Sequence, residues 1–117
     1  MTYDKISGNP VLLHAFNFSL SAIEYAENLN KAGKYVVGKQ LLRSATSIGA
    51  NLIEAQSAES RADFFHKCKI AMKESEESEY WILLCKMSPG YPDPGKLPDD
   101  IRTLAKIIGK IISNKPS

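Results

Sequence analysis

The sequence has only two histidines, two cysteines and one tryptophan in 117 residues, and these shortages close off several kinds of chemistry. Neither His14 nor His66 has a glutamate three residues before it, so the paired Glu-x-x-His motifs of a ferritin-like dimetal centre cannot be assembled. Glu54, Glu74, Glu76, Glu77 and Glu79 remain as an incomplete carboxylate set. Cys68 and Cys85 fall in one helical segment, about 25 Å apart at the usual rise per residue, and cannot bridge within it. With no CxxC, they read as small buried hydrophobes of a reducing compartment, and their apolar neighbours hold the thiols protonated. Gly8, Gly33, Gly38 and Gly49 are isolated, so there is no glycine-rich phosphate loop. The expectation is no catalytic residue, no metal and no cofactor.

Extremes of charge are missing too. A formal net charge of +2 neither announces a nucleic-acid binder nor repels one. No predominantly apolar run reaches the ~18 residues of a membrane span, and the opening MTYDKISGNP lacks a basic stretch leading into an apolar one. A cytoplasmic protein without a membrane partner is expected.

Ordinary globular composition is present, with 44% hydrophobic and 24% charged residues. The length suits one domain over residues 1–117. Asn9-Pro10 combines an N-cap with proline at a first helical position. Val11, Ala15, Phe18, Ala22, Tyr25 and Leu29 then recur at helical spacing up to Gly33. Leu41, Ala45, Ile48, Leu52 and Ala55 make a second stripe, in which Gly49 implies close approach of another helix. Ser60 and Asp63 form a capping pattern ahead of a third stripe: Phe64, Cys68, Ala71, Ser75, Ser78, Ile82 and Cys85. The run SPGYPDPGK, residues 88–96, is a loop. Pro98 opens a last stripe of Ile101, Leu104, Ala105, Ile108, Ile111 and Ile112. The spacing therefore predicts helices over about 10–32, 34–57, 61–87 and 98–113, and no strand alternation competes. The expected fold is all-α, an antiparallel up-down-up-down four-helix bundle.

Two groups of cations could meet phosphate. Arg102, Lys106 and Lys110 read first as a solvated face of the last helix. Lys31, Lys34, Lys39 and Arg43, around the start of the second helix, are equally compatible with a solvated face and a nucleic-acid contact.

The stretches QLLRSATSIGANLIEA (Gln40 to Ala55) and DFFHKCKIAMKESEESEYWILL (Asp63 to Leu84) resemble the proteins first noticed as products of 23S rRNA intervening sequences, relatives of the accessory protein of diversity-generating retroelements. With the matching helix order, the resemblance spans about residues 9–112. It implies a four-helix bundle assembled as a homopentamer, without known catalytic activity and with a suspected role in binding RNA or DNA. The matched positions are Arg43, Ser44, Asn51, Glu54, Lys73, Glu74, Glu77, Tyr80 and Trp81, most of them structural or at an interface. Asn51 and Glu54 lie on one side of the second helix, with Arg43 or Lys73 as candidate partners inside the bundle; alternatively Arg43 and Glu54 are exposed at a subunit boundary. Apolar surface beyond one bundle seam, at Tyr35, Val36, Tyr80, Trp81 and Ile107, suggests contact with further copies.

Overall fold

A computed structural model describes residues 1–116. The described residues form five helices and no strand: α1 (Tyr3–Ser7), α2 (Pro10–Lys31), α3 (Tyr35–Gln56), α4 (Arg61–Met87) and α5 (Leu97–Ser113). Helix α1 has no counterpart in the periodicity, because a single turn is too short to show a repeat. It is held by Ile6, which is buried against α2.

The long helices begin and end for identifiable reasons. Asn9 caps α2, its side-chain oxygen accepting from the Val11 N–H at 3.2 Å, and Pro10 occupies the first turn. At the other end Gly33 takes φ of 78°. The Lys34 N–H bonds the Leu29 carbonyl at 2.8 Å while the Gly33 N–H bonds that of Asn30 at 3.0 Å. This left-handed Schellman closure leaves Lys34 outside α3, one residue later than the spacing predicts. Ser60 accepts from the Asp63 N–H at 3.0 Å. The Asp63 carboxylate reaches back to the N–H of Glu59, not to that of Ser60, so the capping box is displaced by one residue.

Each long helix packs on its neighbour in the chain, and α5 returns to α2. Gly49 on α3 faces Ala15 on α2, whereas Gly38 faces Leu29 and Asn30. Between α3 and α4, Ser44 meets Ser78 and Glu54 meets Lys67. Gly109 on α5 meets Met72 on α4. The stripes on α2 and α3 are buried as their spacing predicts. On α4 the first aromatic differs, since Phe65 is buried and Phe64 is only half-buried. Phe65 lies three residues before Cys68, and Arg61 and Lys115 cover its ring.

The middle of α4 contributes Cys68, Ala71, Ser75 and Ser78 to the core. These small side chains let α3 and α4 approach closely, and their hydroxyls are satisfied. Ser75 donates to the Met72 carbonyl at 2.7 Å, and Ser44 reaches the Leu41 carbonyl at 3.2 Å. Among the described residues no buried side-chain nitrogen or oxygen lacks a partner. The 88–96 loop is tied to α2, where the Tyr25 hydroxyl donates to the Pro92 carbonyl at 2.6 Å.

Candidate interaction surfaces

The polar motif residues of α3 and α4 meet along one seam. Arg43 donates to Glu74 at 3.1 Å and also to Glu77, whose carboxylate accepts from the Trp81 indole N–H at 3.2 Å. Glu74, Glu77 and Trp81 are spaced by three and four, so one side of α4 presents all three to α3. Hydrogen bonds to Glu74, and then to Glu77, hold the guanidinium pKa above its ordinary value. Tyr80 extends the row, its ring centroid 5.8 Å from that of Trp81.

Of the two alternatives for the polar motif residues, Arg43 and Glu54 are exposed, and neither Arg43 nor Lys73 pairs with Asn51 or Glu54. Arg43 and Glu54 are eleven positions apart on one helix, about 16 Å along its axis, beyond the reach of a side chain. Asn51 instead donates to the Ser47 carbonyl at 2.8 Å, and Glu54 pairs with Lys67 at 3.2 Å. Lys73 is exposed. Glu76 and Glu79 stand on the α4–α5 side of the molecule, so the five glutamates are dispersed. Among the described residues no group of three or more His, Cys, Asp or Glu stands close enough to hold a metal ion. Cys68 and Cys85 are free and buried, and burial raises both thiol pKa values.

Nor do Lys31, Lys34, Lys39 and Arg43 make one free cationic patch. Arg43 is neutralised by its two glutamates, and the Lys34 ammonium sits 5.0 Å from the centre of the Tyr91 ring. Lys31 and Lys39 are exposed. On α5, Arg102 pairs with Asp99 at 3.1 Å, while Lys106 and Lys110 point into solvent.

A group of exposed large apolar residues lies near one end of the α3–α4 pair. Tyr80, Leu83 and Met87 form a stripe along α4, and Tyr35 and Val36 begin α3; each is more than half exposed. Extrapolating from the Ser44–Ser78 contact places Val36 level with the last turn of α4. Beside this stripe runs a groove of about 390 Å³ between α4 and α5, lined by Glu76, Glu79, Leu83, Lys86 and Pro98 among others. Tyr80 and Trp81 were legible as surface aromatics, but Leu83 and Met87 were hidden by a helix that is mixed all the way round. No helix among the described residues is long and apolar enough to cross a membrane.

Residues 9–113 match the family model described as 23S rRNA-intervening sequence protein. The chain is similar to the crystal structure of a protein of unknown function from the S23 ribosomal protein family of Bacteroides thetaiotaomicron. The two share 36% identity at a TM-score of 0.84, over 89% of this chain and 99% of that one. No curated protein matches the chain.

Proposed function

Because the chain belongs to the family of 23S rRNA-intervening sequence proteins, we propose that it acts without catalysis, as an oligomeric helical scaffold that presents surfaces to partners in the cytoplasm. The observation that carries this reading is the exposed stripe of Tyr80, Leu83 and Met87 on α4, with Tyr35 and Val36 also exposed at the start of α3. Contiguous apolar surface of this kind on a small protein marks a contact site. The pairings of Gly49 with Ala15 and Gly38 with Leu29, of Ser44 with Ser78 and Glu54 with Lys67, run in opposite chain directions. They support an antiparallel up-down-up-down arrangement of α2 to α5. The assembly we propose is a homopentamer, as the resemblance of the Gln40–Ala55 and Asp63–Leu84 motifs implies. Light scattering on the purified protein tests this: five times the 12.9 kDa chain mass is expected, and a monomer at micromolar concentration overturns it.

A second reading, as a nucleic-acid-binding accessory protein, is favoured by the exposed lysines that lack a carboxylate within ion-pair distance, Lys31 and Lys39 among them. A ring of subunits multiplies weak phosphate contacts through effective concentration. Salt-dependent retention on RNA or DNA tests it.

A further inference from the structure

Acidic residues are unevenly distributed along this chain. None occurs between Asp63 and Glu74, and none follows Asp100. Those stretches correspond to the N-terminal half of α4 and most of α5, two helices that pack together. Their lysines, Lys69, Lys73, Lys106 and Lys110, are all exposed. Among the described residues none of the four has a carboxylate within ion-pair distance, whereas Arg43, Lys67 and Arg102 all do.

Helical phase places three of them, Lys69, Lys73 and Lys106, on one side of the molecule. Lys69 and Lys73 stand one heptad before Glu76 and Tyr80, a rotation of only about 20°. Glu76 and Tyr80 line the groove that Arg102 closes from α5. Lys106 follows Arg102 by one turn, a rotation of about 40°, whereas Lys110 stands one heptad after Thr103, which lines a cleft with His14 and Asn17 of α2, and so turns to the α2 side. The helices are level here, since Gly109, three residues after Lys106, lies against Met72, three after Lys69. Lysines one turn apart have Cβ atoms about 5–6 Å apart, and packed helix axes lie about 8–10 Å apart, so three flexible ammonium groups share a single patch. Arg61 and Lys115, each 5.9 Å from the centre of the Phe65 ring, extend the positive field toward the start of α4.

From this arrangement we infer that the α4–α5 face binds the phosphate backbone of a nucleic-acid duplex. The inference rests on the nucleic-acid reading above and moves its site from the α2–α3 joint to the opposite end of α4 from the apolar stripe. Lysines contact phosphate as point charges and carry no base-edge code, so binding is sequence-tolerant. No Phe, Tyr or Trp is among the exposed large hydrophobic residues of this basic half, so unpaired bases find no stacking platform there. The same lack of interleaved apolar side chains argues against an anionic bilayer, which takes up a buried apolar face together with its charges.

The test is fluorescence polarisation of the full-length protein with a duplex of about 20 base pairs, the corresponding single strand, and phosphatidylserine vesicles as competitor, from about 50 mM salt upward. Three phosphate contacts give a log–log salt slope of about −3 per subunit engaged. Replacing Lys69, Lys73 and Lys106 by Gln is expected to weaken duplex binding at least about tenfold and flatten that slope. Lys31→Gln with Lys39→Gln is expected to leave both unchanged, with oligomer mass and helix content checked in each variant. Loss of binding in the Lys31/Lys39 variant alone overturns this site and keeps the nucleic-acid reading. No binding by the unmodified protein overturns both. Tighter binding to the single strand, or displacement by vesicles, overturns the duplex assignment.

Discussion

The hydroxyls of Ser44 and Ser78 meet at 2.8 Å between α3 and α4, with both side chains sealed from solvent. They are not equivalent. Ser44 also reaches the Leu41 carbonyl at 3.2 Å, whereas Ser44 is the one partner of the Ser78 hydroxyl among the described residues. A one-turn slip of α4 past α3 would leave that hydroxyl buried without a partner, so the pair resists slippage in the close-packed middle of the seam.

The asymmetry predicts unequal mutants. Ser78→Ala leaves Ser44 bonded to its own helix and is expected to cost about 1 kcal/mol. Ser44→Ala orphans the Ser78 hydroxyl and is expected to cost up to about 3 kcal/mol. The double variant removes the orphan together with its partner, so its loss falls below the sum of the two. Urea denaturation of the three variants measures this, and equal, additive losses would refute it.

The two glycines of α3 separate in the same way. A methyl at Gly49 would lie 3.6 Å from the Ala15 Cβ, an ordinary contact, so Gly49→Ala is expected to stabilise by about 0.5–1 kcal/mol through helix propensity. At Gly38 the same methyl meets the Asn30 side-chain oxygen at 3.1 Å and the Leu29 Cβ at 3.4 Å, which offsets that gain. Thermal melts should place Gly49→Ala above Gly38→Ala, and the reverse order would show that the interhelical distances are wrong.

The glycines also show how much of the molecule can be read from the sequence. Periodicity located the four long helices because burying Leu41, Ile48 and Leu52 on one face requires that spacing, and Gly49 was read as a point where another helix approaches closely. The tighter approach is at Gly38, because interhelical distance depends on which residues lie opposite, and periodicity carries no information about register. The same blindness left Arg43 and Glu54 open between a pairing inside the bundle and an exposed position; both are exposed, and their partners Glu74, Glu77 and Lys67 come from α4. Lys106 and Lys110 were legible as a strip, but only the packing of α5 on α4 brings Lys69 and Lys73 beside Lys106.

Tyr25 gives a pH dependence with a definite sign. Burial, above all, raises its phenol pKa well above the ordinary value of 10.0. The unfolded chain therefore releases this proton before the folded one does. The stabilisation is complete below pH 10 and is lost as pH rises above it toward the folded-state value. Tyr25→Phe abolishes this contribution and, by removing the donor to Pro92, lowers stability at neutral pH by about 1 kcal/mol. Chemical denaturation at pH 8 and above pH 10 compares the two proteins; a parallel decline in both would exclude Tyr25 as its source.

The apolar stripe makes the last prediction. Leu83 and Met87 are exposed on the single chain, so replacing both by Glu removes little packing from the core, and the subunit should keep its helix content. In an assembly that covers the stripe, each substitution forfeits about 1.5–3 kcal/mol of burial and also buries a charge with no assigned partner. Together these are worth several orders of magnitude in association, enough to dissociate a micromolar oligomer. Trp81 supplies an independent readout, because it is half-buried beside Tyr80 at the edge of the same stripe. Its emission should shift to the red when the unmodified protein is diluted through its dissociation range, and should already be red-shifted in the Leu83→Glu/Met87→Glu variant. As a control, Leu20→Glu on α2 places the same charge on an exposed leucine away from the stripe, and should leave the mass unchanged. If light scattering finds the double variant assembled like the unmodified protein, the stripe is not the contact between copies. If Leu20→Glu is the variant that dissociates, the contact lies on α2.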